Sequence, residues 1–239
     1  MEPTTIIIAS LGIGTGILLQ TVIGFAAPLI AVPILLFVLS LQDAVSLMSI
    51  FLFLFSIHFV YKHRHEMDRK VILQLGSGTV IGMPIGIYLL KVGNPVILKK
   101  LFGAVILLYV GHYYMKKRKI EVFNRLGFLF GLIGGIFSGL YSNGSPLYVT
   151  YINNKLESAT TIRSTIIGIL AVGNLLRVPL LLGASVLTTE LLKTSLFILP
   201  TFFISIYVGQ KLYHRINEDS FRHTVMIFLV LTAFSLILR

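Results

Sequence analysis

The sequence predicts an all-α polytopic membrane protein made of two homologous four-segment halves. Three observations lead to this fold class: only 12% of the 239 residues are charged, the mean hydropathy is +0.91, and the apolar residues fall in long uncharged runs. Soluble domains carry about 25% charged residues. Runs of about 18 or more apolar residues are long enough to cross the roughly 30 Å hydrocarbon core as helices.

Eight hydrophobic segments are predicted, with short charged connections between them. They cover residues 4–41, 44–61, 71–90, 101–115, 126–152, 162–182, 191–210 and 224–238. None of the connections is long enough to form a soluble domain. Because Met1 is followed by Glu2 and not by a basic stretch, we expect the first segment to stay in the mature protein, unlike a signal peptide.

The net charge of +11 comes mostly from Lys and Arg in the short connections, where such residues set membrane topology. A basic surface with interleaved aromatic residues is typical of nucleic-acid binding. The sequence has no such stretch, so we expect no nucleic-acid partner. The absence of cysteine excludes disulfides, thiolate metal sites and a cysteine nucleophile.

The chain is predicted to be a duplication, with one transmembrane repeat in residues 1–120 and another in residues 121–239. Three stretches recur in the same order, namely residues 16–28 with 134–146, residues 44–49 with 159–164, and residues 86–100 with 209–223. Chance similarity between compositionally biased membrane segments is the alternative, but the shared order favours duplication. Internal repeats of this kind are typical of secondary transporters.

The first segment of each half is expected to be broken or re-entrant. A single helix over residues 4–41 would reach roughly 57 Å, well beyond the thickness of the hydrocarbon core. Gly24, Pro28 and Pro33 supply a break, since glycine relaxes the backbone and proline removes a donor. The matching stretch of the second half, residues 138–146, is rich in serine and glycine and ends at Pro146.

The distribution of Lys and Arg predicts an inverted repeat. Treating each first segment as a hairpin, or as two short spans, gives a stronger asymmetry between the two membrane sides than treating it as one span. This choice leaves an odd number of full spans in each half. The halves would then be inverted relative to each other, with both termini outside.

The two breaks predict an anion site near the membrane midplane. The N-terminus of a half-helix offers free N–H donors and a partial positive charge, and two such tips facing each other would form an anion cradle. The alternative is that the small residues only let helices pack closely. Pro28 and Pro146 at matching positions favour the site. The candidate substrate-binding residues at the breaks are Gln20, Thr21, Gly24, Ser138, Ser142, Asn143, Gly144 and Ser145.

Arg177 is the clearest ionisable residue inside a segment. A charge at the bilayer centre costs at least about 2.5–3.5 kcal/mol on insertion scales, so it normally faces the protein interior. Helical spacing places Arg163, Asn174 and Arg177 on one stripe, and Asn174 and Arg177 are predicted to bind the substrate. Because Arg177 lies near the end of its segment, it could instead extend to the lipid headgroups.

His58 is a candidate proton relay, since an imidazole exchanges protons near neutral pH. A position at the membrane interface is the alternative, and it is also our interpretation of His63 and His65. Every Asp and Glu lies in a connection or at a segment end, so no metal site and no catalytic carboxylate pair are predicted. The sequence also lacks a P-loop. We therefore expect no cofactor and no enzymatic activity, with a gradient as the driving force.

The broken first segments, the stretches 44–49 and 159–164, and the glycine-spaced helix with Gly78, Gly82 and Gly86 together resemble the sulfite exporter TauE/SafE family, also described as toluene sulfonate uptake permeases. The resemblance covers essentially the whole chain. It implies secondary transport of sulfur-containing oxyanions or organosulfonates, such as sulfite or sulfoacetate, across the cytoplasmic membrane. Many relatives carry two or three glycines at the breaks, so the departure at residues 24–28 and 142–146 leaves the pocket shape and substrate open.

The expected function is an exporter that works by alternating access at a midplane site made by two broken helices. Its partners would be a small anionic substrate and the lipid bilayer, and the glycine-spaced helix leaves a homodimer open. An anion channel, a transporter of another small organic anion, and a membrane-embedded transferase using Asn143, His58 or Ser145 are the alternatives. Duplicated halves favour a carrier over a channel. A transferase would need an activated nucleophile or a metal, and the sequence shows the spacing for neither.

Overall fold

The computed structural model describes residues 2–24, 27–114, 126–213 and 218–238, and these residues form helices without any strand. Among them, five helices (α1, α3, α4, α8 and α9) are long and apolar enough to cross a membrane. The prediction of an all-helical chain with several membrane-capable helices is confirmed. The helices are α1 (Pro3–Ile23), α2 (Ala27–Leu35), α3 (Leu41–His63), α4 (Arg69–Val92), α5 (Pro95–Tyr114), α6 (Gly127–Tyr141), α7 (Ser145–Lys155), α8 (Ala159–Gly183), α9 (Thr189–Tyr213) and α10 (Glu218–Leu238).

Two stretches predicted as single segments each contain two helices. Residues 4–41 hold α1 and α2, and residues 126–152 hold α6 and α7. The residue after each first helix has a left-handed backbone conformation, with φ of 103° at Gly24 and 56° at Ser142. Pro28 and Pro146 are each the second residue of the following helix, where the missing N–H leaves no helical hydrogen bond unmade.

The chain divides into two compact units that alternate along the sequence. Unit 1 consists of Met1–Ala44, Val92–Lys117 and Thr189–Arg239, and unit 2 of Val45–Lys91 and Arg118–Thr188. Each unit therefore combines helices from both predicted halves. The division into a repeat at residues 1–120 and a repeat at residues 121–239 stays a prediction. The inversion of the two repeats also stays a prediction.

In unit 1, α1 packs against both α9 and α2, and α5 packs against α10. Small side chains line the contact between α1 and α9: a Cβ atom added to Gly14 would lie 2.8 Å from Cγ2 of Thr201. One added to Gly209 would lie 2.8 Å from Cβ of Thr21. Close approach through small residues is the usual way in which membrane helices associate, because apolar burial gives no driving force between helices in lipid.

In unit 2, α4 and α6 approach each other until their backbones touch. A Cβ atom added to Gly78, Gly82 or Gly86 of α4 would overlap the carbonyl oxygens of α6. Glycines on the facing side of α6, which include Gly131 and Gly135, also lie close to the backbone of α4. The glycine-spaced face of α4 thus packs within the chain. A homodimer stays a prediction and would have to use another surface.

Aligned positions of the two halves make aligned contacts. In unit 1, Gly209 of α9 lies against Thr21 of α1. In unit 2, Gly86 of α4 lies against Gly139 of α6. The matched stretches pair Gly86 with Gly209 and Thr21 with Gly139. In both units, the first helix of one half therefore packs on the helix before the final span of the other half.

Candidate functional site

The break between α1 and α2 lies in unit 1, and its polar groups bond to the chain itself. The Gly24 N–H donates to the Gln20 carbonyl at 2.7 Å, and the Ala27 N–H donates to Oε1 of Gln20 at 3.2 Å. The hydroxyl of buried Thr21 donates to the Ile17 carbonyl at 2.8 Å. The Gln20 side chain thus caps the first residue of α2. One of the donors predicted to face an anion is therefore already occupied.

The break between α6 and α7 lies in unit 2 and is attached to α3. The Ser142 hydroxyl donates to the Val45 carbonyl at 3.1 Å, and it lies 3.0 Å from the hydroxyl of Ser49. All three residues are buried. These contacts hold Ser142 in its left-handed conformation, which is costly for a residue with a Cβ atom. Ser142 therefore anchors the break, and its hydroxyl is engaged within the protein.

Asn143 carries a donor with no partner among the described residues. The side chain is 3% exposed, and its Oδ1 accepts a hydrogen bond from the Ser145 hydroxyl. Its Nδ2 is buried and makes no hydrogen bond. A buried donor left unsatisfied costs about 1–3 kcal/mol. Gly144, also buried, forms the N-cap of α7, so the unsatisfied amide lies directly before a helix N-terminus.

Arg177 of α8 points into unit 2. Its side chain is 1% exposed, and the guanidinium donates to the hydroxyl of Ser138 and, at 3.0 Å, to Oδ1 of Asn174. The Nε atom is buried without a partner in the described part of the chain. Arg177 therefore does not extend to the surface as a headgroup-seeking side chain would.

Asn174 of α8 links Arg177 to helix α3. Its Nδ2 donates to the Ser56 hydroxyl at 2.8 Å and approaches the Leu52 carbonyl at 3.4 Å. With its donors used in this way, Oδ1 is turned toward Arg177. Of the three residues on the predicted stripe of α8, Asn174 and Arg177 face inward and Arg163 is half-buried.

Tyr148 is a member of this cluster that sequence reasoning missed. The side chain is fully buried, and its hydroxyl lies 2.9 Å from Oγ1 of Thr79. The Thr79 hydroxyl donates its one hydrogen to a backbone carbonyl, with Leu75 at 2.9 Å. The Tyr148 O–H is therefore the donor of the bond between the two hydroxyls. The phenol also interacts with Ser138 and with the charge of Arg177. Its signal in the sequence was a tyrosine in the first turn after the second break.

The predicted site residues fall into two groups. Unit 1 contains Gln20, Thr21 and Gly24, and unit 2 contains Ser138, Ser142, Asn143, Gly144, Ser145, Asn174 and Arg177. Within unit 2, direct hydrogen bonds join Arg177 to Ser138 and Asn174, and Asn143 to Ser145. That the two breaks face each other stays a prediction.

The histidines stand apart from these hydrogen bonds. His58 is exposed on α3, with its ring edge-on to Phe59 at a centroid distance of 5.1 Å, and its role as a proton relay stays a prediction. His65 is exposed and accepts a hydrogen bond from Nε of Arg64 at 3.1 Å. The side chain of His63 lies outside the described residues. No group of three or more His, Asp or Glu residues in the described ranges could hold a metal ion.

Membrane-capable helices, together with a buried cation and unsatisfied donors inside unit 2, are features of polytopic membrane proteins, the class to which secondary transporters belong. The family model of the sulfite exporter TauE/SafE family matches residues 8–236. The chain belongs to this family, as the resemblance predicted, and is a multi-pass membrane protein of the exporter type. No curated protein and no solved structure matches the chain.

Proposed function

We propose that this chain is a secondary transporter that exports small sulfur-containing oxyanions or organosulfonates, such as sulfite or sulfoacetate. The observation that carries the proposal is the environment of Arg177. This cation lies on a candidate membrane span, is 1% exposed, and contacts only neutral groups among the described residues. A buried charge without a counter-ion is costly, and a bound anion would offset that cost.

The chemistry of the cluster suits an oxyanion. A guanidinium is a planar fork of N–H donors that matches oxygens bonded to one central atom, and charge-assisted hydrogen bonds are the strong ones. Nε of Arg177 and Nδ2 of Asn143 are both buried and unsatisfied. The Ser138 hydroxyl accepts from Arg177 and interacts with the Tyr148 phenol, so it donates to a ligand by exchanging the contact with Tyr148. We propose that these three groups contact the sulfur-bound oxygens of one substrate.

The two breaks contribute unequally in this proposal. Gln20 and Ser138 occupy aligned positions in the matched stretches. The Gln20 side chain caps its own neighbouring helix, whereas Ser138 is held by a cation. The break in unit 2 would therefore supply the substrate contacts described above, and a contribution from the break in unit 1 stays a prediction.

Alternating access of inverted repeats is the proposed mechanism. It is supported by the aligned left-handed residues Gly24 and Ser142 and by the aligned helix contacts at Gly86 and Gly209. Two structurally equivalent elements of one chain can exchange roles when a carrier changes the side to which its site opens. No step of this mechanism uses catalysis or a cofactor. The partners are the small anion and the bilayer.

Counterflow in proteoliposomes tests the proposal. Vesicles preloaded with unlabelled sulfite should accumulate radiolabelled sulfite from outside, with a saturable rate, and sulfoacetate should compete. Arg177→Met should abolish the exchange, whereas the matched variant Lys193→Met, at an exposed position on α9, should retain it. The substrate assignment is wrong if sulfite, sulfoacetate and other sulfonates all fail to exchange while an unrelated solute does. A flux that neither saturates nor shows counterflow would indicate a channel.

A further inference from the structure

A second cationic cluster lies in unit 2, at the C-terminal end of α7. Nζ of Lys155, the last residue of that helix, donates to Oε1 of Gln74 at 2.7 Å and to the Tyr151 hydroxyl at 3.0 Å. The Tyr151 hydroxyl donates to the same Oε1 at 2.9 Å, and the ammonium lies 5.4 Å from the centre of the Tyr151 ring. Gln74 of α4 and Tyr151 of α7 thus both bond to the positive charge of Lys155.

The charge of Lys155 is met only by neutral groups among its described contacts. Its side chain and that of Gln74 are half-buried, while Tyr151 is fully buried. An ammonium group has three N–H donors, and Gln74 and Tyr151 take two. Folding back toward α4 keeps the cation beside the protein, whereas a headgroup-seeking lysine would extend away from it. The cluster therefore has both the charge and a spare donor with which to bind an anion.

One face of α7 connects this cluster to the proposed substrate site. Tyr148, Tyr151 and Lys155 recur three to four residues apart, so they lie on one side of the helix. Tyr148 interacts with Ser138 and Arg177 at one end of that face. Lys155 lies about 10 Å further along the helix axis, at 1.5 Å per residue. Tyr148 and Tyr151 on this face are both fully buried, so the face is closely packed in the structure.

We infer that Lys155, Gln74 and Tyr151 form a second anion-binding station, which takes the same class of small oxyanion on its way to Arg177. The inference rests on the proposed function. In the predicted hairpin topology, the connection with Lys155 and Arg163 belongs to the membrane side that is rich in Lys and Arg, which is the cytoplasmic side. The Lys155 end of α7 would therefore lie on the loading side of an exporter. A cation at such an opening raises the local anion concentration and the rate of association, and salt weakens the effect. The station governs how fast the anion reaches the site more than how tightly it is held there.

The test compares Lys155→Gln with Lys91→Gln, a matched variant at an exposed lysine in the last turn of α4. Sulfite affinity is measured by calorimetry on the purified full chain, and the initial sulfite exchange rate is measured in proteoliposomes at low and high salt. We expect Lys155→Gln to keep the wild-type affinity within about twofold. Its exchange rate at low salt should fall about fivefold or more, and its salt dependence should flatten. Lys91→Gln should match wild type in all three measurements.

Wild-type exchange rate and salt dependence in Lys155→Gln would overturn the inference and leave the proposed function intact. A wild-type protein that neither binds nor exchanges the anion would overturn both. Lys155→Arg guards against a folding defect, because it keeps the charge and should keep the rate. If Lys155→Arg loses the rate while Lys155→Gln retains it, the charge is not the operative feature and the inference also fails.

Discussion

The guanidinium of Arg177 donates a hydrogen bond to the hydroxyl of Ser138, which joins α8 to α6 one helical turn before the break at Ser142. This bond has two consequences. It holds the cation beside the break, and it makes the Ser138 hydroxyl an acceptor toward Arg177, so that its one hydrogen is directed to the Tyr148 phenol or, in the proposal, to a ligand. The pair therefore sets both the position and the polarity of the proposed anion site.

Arg177→Lys is expected to weaken sulfite binding by about tenfold or more, although the positive charge is kept. Lysine is a compact point charge, so it cannot bond Ser138, Asn174 and an oxyanion with one planar fork. Hydrogen bonds to charged groups contribute about 1.5–3 kcal/mol each. Calorimetric titration of the purified variant measures the change. Wild-type affinity in Arg177→Lys would mean that only the charge is needed, and the proposed fork geometry would then be wrong.

Asn143→Asp is expected to weaken anion binding more than Asn143→Ala does. The aspartate keeps an acceptor for the Ser145 hydroxyl, but it replaces the unsatisfied Nδ2 donor with a carboxylate oxygen that repels an anion. We expect a loss of about tenfold or more for the aspartate, and a smaller one for alanine, which removes a single neutral donor. Thermal-shift titration with sulfite compares the two variants. An aspartate variant that binds as well as the alanine variant would remove Asn143 from the site.

Gly82→Ala is expected to destabilise the protein, although alanine is the better helix former. Its Cβ atom would overlap the backbone of α6 at Leu132, so α4 and α6 would have to separate, at a cost of about 1–3 kcal/mol. The matched control is Gly183→Ala in the same unit, where an added Cβ meets no atom within 4 Å. The apparent unfolding temperature in detergent should fall for Gly82→Ala and stay unchanged for Gly183→Ala. Equal temperatures would contradict the backbone contact.

Gly24→Ala is expected to cost about 1–2 kcal/mol of stability, because a Cβ atom is disfavoured in the left-handed region. Gly24 has φ of 103° where α1 ends. Gly111→Ala in α5 is the control in the same unit, since an added Cβ there meets open space. The comparison again uses the apparent unfolding temperature in detergent. A Gly24→Ala variant as stable as Gly111→Ala would show that the chain can end α1 in another way.

Local chemistry explains why much of the secondary structure was predictable. Gly24 can adopt the left-handed backbone that ends a helix, and Pro28 and Pro146 restrict φ and lack a donor, so α1 and α6 end within a few residues of them. The two segments that contain two helices each are the two for which a break is predicted, and no charged connection separates the helices there. The sequence also singled out Arg177, because a charge inside an apolar run is visible without any structure.

Non-local contacts were not predictable in the same way. Tyr148 and Thr79 are ordinary residues in their own segments, and only the packing of α7 on α4 brings them together. The glycines of α6 recur with the same four-residue period as Gly78, Gly82 and Gly86, but the period does not say which helix they face. Similarly, whether Arg177 turned inward or toward lipid depended on partners supplied by α6 and by the neighbouring turn of α8.

By itself, the sequence determined that this is a multi-pass helical membrane protein of the sulfite exporter TauE/SafE family, and it predicted where helices are interrupted and that Arg177 is a candidate site residue. These properties depend on side-chain transfer energies and on backbone restrictions of single residues. Only the tertiary structure decided that each compact unit draws helices from both halves, that α4 packs on α6, and that Nε of Arg177 and Nδ2 of Asn143 are buried without a partner among the described residues. Those features depend on contacts between residues far apart in the chain, which hydropathy and local propensity do not encode.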